Sequence, residues 1–330
     1  MKTVVIKKVK KESWLGKLSR RPDFSAIVGV IALVLFFSIF TEAFLKPSNI
    51  FALLRAGSLY IVVAIGMAAV ICIGGMNMSI GAVGSLCTVV AGVCFQNWGL
   101  PIWATVIITL FVGALTGLVN GLFITKLKIN AFVTTLSTMF VFQGLANGIS
   151  KGYPYTEIPK EFTVLGRDGF GTWLPYLFVL ACVLLILFHL FYKYSVLGRQ
   201  TLATGGNMEA ARMLGVKTDQ TVIIANIASN VFSALAALLW LSRLGNGAVA
   251  TGADWMLIGN AVAILGGTAL AGGVVSASGL LAAGIMMAII KNGLIMVGVN
   301  IYFEQTFLGM LILIAVAADS IRSGVGKKSK

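Results

Sequence analysis

The residues of this chain whose types and spacing suit a specific task gather in two short stretches. The first is the polar run 193–219, KYSVLGRQTLATGGNMEAARMLGVKTD. Here Gly205 and Gly206 are expected to break the chain, and Asn207 to accept the first free N–H groups of a helix as its N-cap. Residues 208–214 then wind a short helix that Gly215 ends. On that helix Ala210 and Ala211 are small, Met213 and Leu214 are apolar, and Glu209 and Arg212 stand three apart, a spacing that permits an ion pair. Small and apolar residues on an exposed helix suit insertion into a partner's groove. The chemistry is recognition, with no bond made or broken.

The second stretch is GGMNMSIG at 74–81. Paired glycines between two apolar runs permit a helix to be interrupted, and Asn77 and Ser79 supply hydrogen-bonding groups where backbone groups are also free. Such a break is tolerated in an apolar setting only where protein or a cavity surrounds it. The alternative is an ordinary tight turn joining two helices at a surface. Further uncharged polar residues interrupt other apolar runs: Thr134, Thr135, Ser137, Thr138, Gln143, Asn147, Asn226, Ser229, Asn230 and Asn260. Amides and hydroxyls of this kind exchange hydrogen bonds with a neutral polyol without trapping it electrostatically. They also serve as glue between helices, so Asn77, Ser79, Thr134, Thr135, Asn230 and Asn260 are candidates for a pathway with a packing role as the alternative.

Catalytic patterns are missing. No GxxxxGK[ST] loop is present to cradle phosphates, and no HExxH, GxSxG or carboxylate pair in a membrane span suggests catalysis, so the reading assigns no catalytic residue and no metal ligand. Cys72, Cys87, Cys94 and Cys182 lie in apolar stretches without CxxC spacing and read as small buried hydrophobes. His189, the only histidine, sits at the end of an apolar run and reads as structural.

The elements that must hold these residues follow from composition. Of 330 residues 58% are hydrophobic and 11% charged, which excludes an ordinary soluble domain. Long apolar runs with short polar punctuation imply helices that satisfy their own backbone in lipid, and the fold class is an all-α polytopic transmembrane bundle. About ten spans are expected, near 24–45, 50–73, 79–96, 101–125, 129–149, 173–192, 220–241, 257–274, 278–298 and 304–321. The division is a basic segment at 1–23, a membrane domain at 24–321 and a basic tail at 322–330. Within the domain lie an outer loop at 150–172, which is a small cap or mere loop, and the inner loop at 193–219.

The net charge of +14 raises nucleic acid as a partner, but its placement argues otherwise. Lysines and arginines crowd the two termini and the loops carrying Lys126, Lys128, Lys193, Arg199, Arg212 and Lys217, whereas the opposite loops carry only Lys46, Lys151, Lys160, Arg167 and Arg243. This is the positive-inside pattern with both termini cytoplasmic, and it makes the lipid bilayer, with no nucleic acid, the expected surroundings. Arg55 and Lys291 fall within spans. Snorkelling is expected for Arg55, and Lys291 is left open.

Glu209-Ala210-Ala211-Arg212-Met213-Leu214-Gly215 resembles the E-A-A-x-x-x-G coupling signature of ABC importer permeases. GGMNMSIGAVGSL at 74–86 resembles the GGIDLSVGS-type segment of the ribose/xylose-type permease family. NAFVTTLSTM at 130–139, LGRQTLATGGNMEAARMLGV at 197–216 and GNAVAILGGTALAGG at 259–273 resemble that family's segments in the same order. The resemblance spans about residues 25–320. It departs at Asn77, where the family usually has an aspartate.

The resemblance implies a permease subunit, multi-pass in the cytoplasmic (inner) membrane of a prokaryote, that passes a sugar or sugar-like solute. Its implied partners are an ABC ATP-binding subunit, an extracytoplasmic solute-binding protein, and a second permease copy or paralogue. ATP and Mg would be bound by the ATPase partner, with no cofactor in this chain. Gly205, Gly206, Asn207, Glu209, Ala210, Ala211 and Gly215 are the implied coupling residues. Similar permeases for nucleosides or branched-chain amino acids, and a stand-alone secondary transporter or facilitator, are the alternatives.

Overall fold

The computed structural model describes residues 24–298 and, beyond them, 303, 306, 309, 310 and 313. The basic ends expected at 1–23 and 322–330, and most of the span expected at 304–321, lie outside the described residues. Proline and side-chain caps set where the helices begin. Helix α1 is Phe24–Phe40, and α2, Pro47–Ile71, opens on a proline in its first turn. Helix α3 is Ile80–Gly92 and continues into a π-turn at Val93–Asn97. Helix α4, Ile102–Thr125, follows Pro101, and α5, Ala131–Ser150, follows Asn130, whose side chain accepts from the Phe132 N–H.

Beyond α5 come α6 (Lys160–Arg167), a two-stranded antiparallel hairpin of β1 (Gly169–Phe170) and β2 (Leu174–Pro175), and α7 (Tyr176–Tyr194). Ser195 caps α8 (Val196–Gly206), and α9 (Met208–Met213) and α10 (Thr218–Leu244) follow. The described helices end with α11 (Trp255–Leu265) and α12 (Ala277–Met296), the latter capped by Ser276. The small hairpin and an isolated antiparallel bridge between Tyr155 and Gly247 depart from the all-α expectation among the described residues.

Seven of these helices are long and apolar enough to cross a membrane: α2, α3 with its π-turn, α4, α5, α7, α10 and α12. Burial separates centre from periphery. Two thirds of the apolar stretch of α2 (67%) and 78% of that of α3 lie inside the protein, against 28% for each of α4, α5 and α7. A helix buried all round belongs at the core, and residues 57–71 of α2 are all buried. The outer helices instead present Trp103, Phe111, Phe140 and Ile186 outward, the surface that a lipid-facing helix needs.

The tightest pairing is between α4 and α10, which run antiparallel. Gly113, Gly117 and Gly121 of α4 meet, in turn, Asn230 and Ala234, then Asn226 and Ile227, then Ile223. A Cβ on Gly117 would lie 2.6 Å from Ile227 Cα. With no hydrophobic drive between helices in lipid, this close backbone approach is what makes the contact favourable.

The expected uniform span at 257–274 is corrected. Helix α10 ends at Leu244, with Gly245 in the left-handed region, and the chain turns back along α3 in non-helical form. Gly247 exchanges both backbone bonds with Tyr155 (2.7 and 2.9 Å), Ser85 Oγ donates to Val249 O at 2.6 Å, and Gly252 reaches Gly81 near the start of α3. Only then does α11 form, with Gly259 packed on Val63 and Met67 of α2. It stops at Leu265, where Gly266 and Gly267 turn the chain (Gly267 φ +82°). A non-helical stretch this deep is tolerated because neighbouring side chains and backbone satisfy it. Likewise the span expected from 24 to 45 is helical only to Phe40.

The loop at 150–172 is tied to the ends of α3 and α10. Arg167 donates to the terminal carbonyls of α10, Arg243 O at 3.2 Å and Leu244 O at 2.8 Å, and Phe162 packs against Phe95 with ring centres 5.0 Å apart and the rings tilted by 54°. Gln96 Oε1 accepts from the Thr156 N–H at 3.0 Å. The carbonyls left free at a helix C-terminus attract a cation, which accounts for Arg167.

Candidate functional site

Helix α9 forms where expected and is locked at both ends. Asn207 Oδ1 accepts from the Ala210 N–H at 2.9 Å. At the other end Gly215 takes φ +83°, its N–H bonds Arg212 O at 3.0 Å, and the Val216 N–H bonds Ala211 O at 3.0 Å. This pair of bonds is the Schellman arrangement, which only a residue at ease in the left-handed region completes without strain. Ala211 faces inward at 3% exposure, while Met213 and Leu214 stand out at 82% and 85%. Two apolar side chains on a rigid, projecting turn are an uncovered contact surface.

Two details differ from expectation. Gly205 and Gly206 do not break the chain, for they are the last residues of α8, and the break falls on Asn207 (φ −161°, ψ 106°). Arg212 turns away from Glu209 and donates to Thr218 Oγ1 at 3.1 Å and Asp219 Oδ1 at 3.2 Å. Asp219 lies in the first turn of α10, where a carboxylate is favoured by the helix dipole and so makes the better partner. An open cleft of about 730 Å³, with Thr125, Lys128, Met208, Arg212 and Asp219 among its lining residues, separates the end of α4 from α9.

The GGMNMSIG stretch brings Asn77, Ser79 and Asn230 into one buried network. Asn77 Nδ2 donates to Ser229 Oγ at 2.9 Å and Asn230 Oδ1 at 2.7 Å. Its Oδ1 accepts from the Ser79 N–H at 3.0 Å and Ser79 Oγ at 2.7 Å. Asn120 of α4 donates to Ser79 Oγ at 2.9 Å and accepts from Thr138 Oγ1 of α5 at 2.8 Å. Asn230 Nδ2 closes on Thr116 Oγ1 at 3.1 Å.

The amide of Asn77 thus makes two donor and two acceptor bonds, its full capacity, at 0% exposure. Helices α4, α5 and α10 all fasten the start of α3. Thr135 Oγ1 lies 3.4 Å from Met76 O and Thr138 joins the network; as the fifth and eighth residues of α5 they sit roughly 6–10 Å from its first residue. The stretch joins two helices each long and apolar enough to cross a membrane, with Gly74 exposed and Asn77 and Ser79 buried.

Thr134 and Asn260 stand apart from the network. Thr134 Oγ1 is buried with no partner among the described residues, and Asn260 donates to Met256 O at 3.0 Å while its Oδ1 has none. Asn226 Oδ1 is in the same condition. Sequence reasoning missed Asn120 and Thr116. Their signal is the Gly113, Gly117, Gly121 spacing, since a helix held that close to α10 must turn its neighbouring side chains into the same interface.

Among the described residues no group of His, Cys, Asp and Glu is arranged to hold a metal, and all four cysteines are unpaired.

Comparison with known proteins agrees with this architecture. The family described as branched-chain amino acid transport system / permease component matches residues 49–316. The ribose import permease of Bacillus subtilis (strain 168) is 35% identical, covering 90% of this chain and 92% of its own. The L-arabinose transport system permease of Escherichia coli (strain K12) is 35% identical over 88% of each chain, and the xylose transport system permease of the same strain 29% identical over 90% and 91%. No solved structure matches. With the family matching most of its length, the chain belongs to the permease components of ABC importers: it is a membrane-spanning transport subunit and not an enzyme.

Proposed function

We propose that the solute is a neutral sugar, delivered by an extracytoplasmic binding protein and moved at the expense of ATP hydrolysed, with Mg, in a separate subunit docked on α9. The observation that carries the coupling is the projecting Met213–Leu214 pair on a helix locked at both ends. A rigid apolar knob transmits a push that a mobile loop would absorb. Glu209, Ala210, Ala211 and Gly215 shape that knob; Asn207 joins it to Gly205 and Gly206 at the end of α8.

The sugar assignment rests on the names of the ribose, arabinose and xylose relatives and on the fully buried polar residues among those described, which are all serine, threonine and asparagine. Asn77, Ser79 and Asn230 bound the pathway by holding the start of α3, with Thr135 beside them. Thr134 and Asn260, with unspent hydrogen-bonding capacity, are the members free to meet solute hydroxyls once the protein opens. In this reading the chain sits in the inner membrane of a prokaryote with about ten spans and both termini cytoplasmic, beside a second permease copy or paralogue.

Proteoliposomes holding this chain with its co-expressed ATPase subunit and binding protein test the reading. ATP-dependent uptake of radiolabelled ribose, arabinose or xylose is expected. Uptake that proceeds equally without ATP would instead identify a self-sufficient facilitator.

A further inference from the structure

The end of α8 meets two other backbones at a point that leaves no room for side chains. Gly205 lies against the Cys72 carbonyl, just past α2, and a Cβ there would also stand 2.7 Å from the Gly273 nitrogen. A Cβ on Gly272 would overlap the Gly205 carbonyl and lie 2.9 Å from the Gly74 nitrogen. Gly273 donates its N–H to Cys72 O at 2.8 Å. Gly272 and Gly273 have φ of +84° and +80°, a conformation that other residues reach only under strain. Three segments therefore touch backbone to backbone: the root of α9, the turn that leads from α2 to Asn77, and the loop that follows α11.

We propose that this junction is the mechanical link between α9 and the interior, with Gly205, Gly272 and Gly273 as positioning residues for transport. The proposal rests on the reading of α9 as an ATPase dock. Asn207 is the only residue between α8 and α9, so a displacement of α9 carries the end of α8 with it. Side chains absorb such a shift by changing rotamer, but backbone in contact with backbone has no rotamer to change. The movement passes to Cys72 and Gly74, and from there along a short non-helical stretch to Asn77 and the network that holds α3. Through Gly272 and Gly273 it passes to the loop between α11 and α12. The start of α3 is a helix end and α11 is a half-length helix, so both can shift without bending a long helix.

Cys72 is a reporter already built into the junction. It is buried, with its Sγ 3.3 Å from Tyr192 Oη of α7. With Cys87, Cys94 and Cys182 replaced by alanine, the rate of Cys72 labelling by N-ethylmaleimide is measured in the complex with its ATPase subunit, without nucleotide and after trapping with ATP and vanadate. The expected result is a several-fold change in labelling rate on trapping, retained in Gly144→Ala of α5, whose methyl would enter open space. Gly205→Ala is expected to keep its bound ATPase and lose the change.

Equal Cys72 labelling in both states would overturn the proposal, as would a Gly205→Ala variant that responds like Gly144→Ala. Should Gly205→Ala fail to reach the membrane, the chain with intact glycines still decides the matter through its own two rates. An intact chain that retains no ATPase subunit fails before any labelling; that outcome overturns the ABC coupling reading and the junction with it, and is distinct from a trapped complex whose Cys72 does not respond.

Discussion

Lys291 of α12 sets its ammonium 2.8 Å from Asp254 Oδ2, at the residue where the non-helical half of a crossing becomes the helix α11. The ammonium also lies over the Tyr60 ring, 5.5 Å from its centre. Lys291 is therefore an interior residue that ties α12 and α2 to the re-entrant segment. Asp254 stands at the N-terminal end of α11, where a negative charge is favoured by the helix dipole as well as by the lysine.

Replacing Lys291 with methionine is expected to leave Asp254 without its cation and to destabilise the protein by about 1–3 kcal/mol. That is less than the loss of a fully buried pair, because the Asp254 side chain keeps 36% of its exposure. Thermal unfolding in detergent of Lys291→Met, Asp254→Asn and the double variant checks this. The double variant should recover part of the loss, and strict additivity would mean the two side chains are not coupled.

Asn77→Ala is expected to cost more than its size suggests. The change strips partners from Ser229, Asn230 and Ser79 in a site closed to water. Each buried polar group left unpaired costs about 1–3 kcal/mol. Asn77→Asp, which restores the family's usual residue, presents oxygen to Asn230 Oδ1. It is expected to be tolerated only if Asn230 turns its amide over, giving Nδ2 to residue 77 and accepting from Thr116. Unfolding of Asn77→Asp with and without Asn230→Ala measures that dependence.

Gly117→Val should drive α4 from α10, since even a Cβ would lie 2.6 Å from Ile227 Cα. Overpacking of this kind costs about 1–3 kcal/mol. Gly144→Ala, on a face where nothing lies within 4 Å, is the matched control. A lowered unfolding temperature is expected for the first and none for the second.

Legibility from sequence followed the range of the interactions. Local chemistry was readable: Asn207 and Gly215 lie within a few residues of the groups they satisfy, so both ends of α9 could be placed from the sequence. The apolar runs that became α2, α4, α5, α7, α10 and α12 were equally plain, because a lipid-spanning helix satisfies its own backbone. The re-entrant stretch before α11 was not readable, because its backbone is satisfied by Tyr155 and Ser85, residues remote in sequence. Gly205 and Gly206 depart from the expected chain break for a related reason. Glycine punctuates a chain when the need is conformational, but at Gly205 the need is space for the Cys72 carbonyl, and a helix continues through it. Asn77 was noticed for its polarity, whereas Asn120, which helps hold it in place through Ser79, lies in an apolar run and gave no comparable sign.

The central claim is that this chain is driven through α9, and its two outermost apolar side chains offer the most direct test. Met213→Glu with Leu214→Glu alters only residues at 82% and 85% exposure, so insertion, yield and unfolding temperature should match the unaltered chain. The measurement is co-purification of the ATPase subunit in nanodiscs together with ATP-dependent uptake in proteoliposomes. The account predicts that the double variant loses the bound ATPase and the uptake while remaining folded. A double variant that keeps both would contradict it.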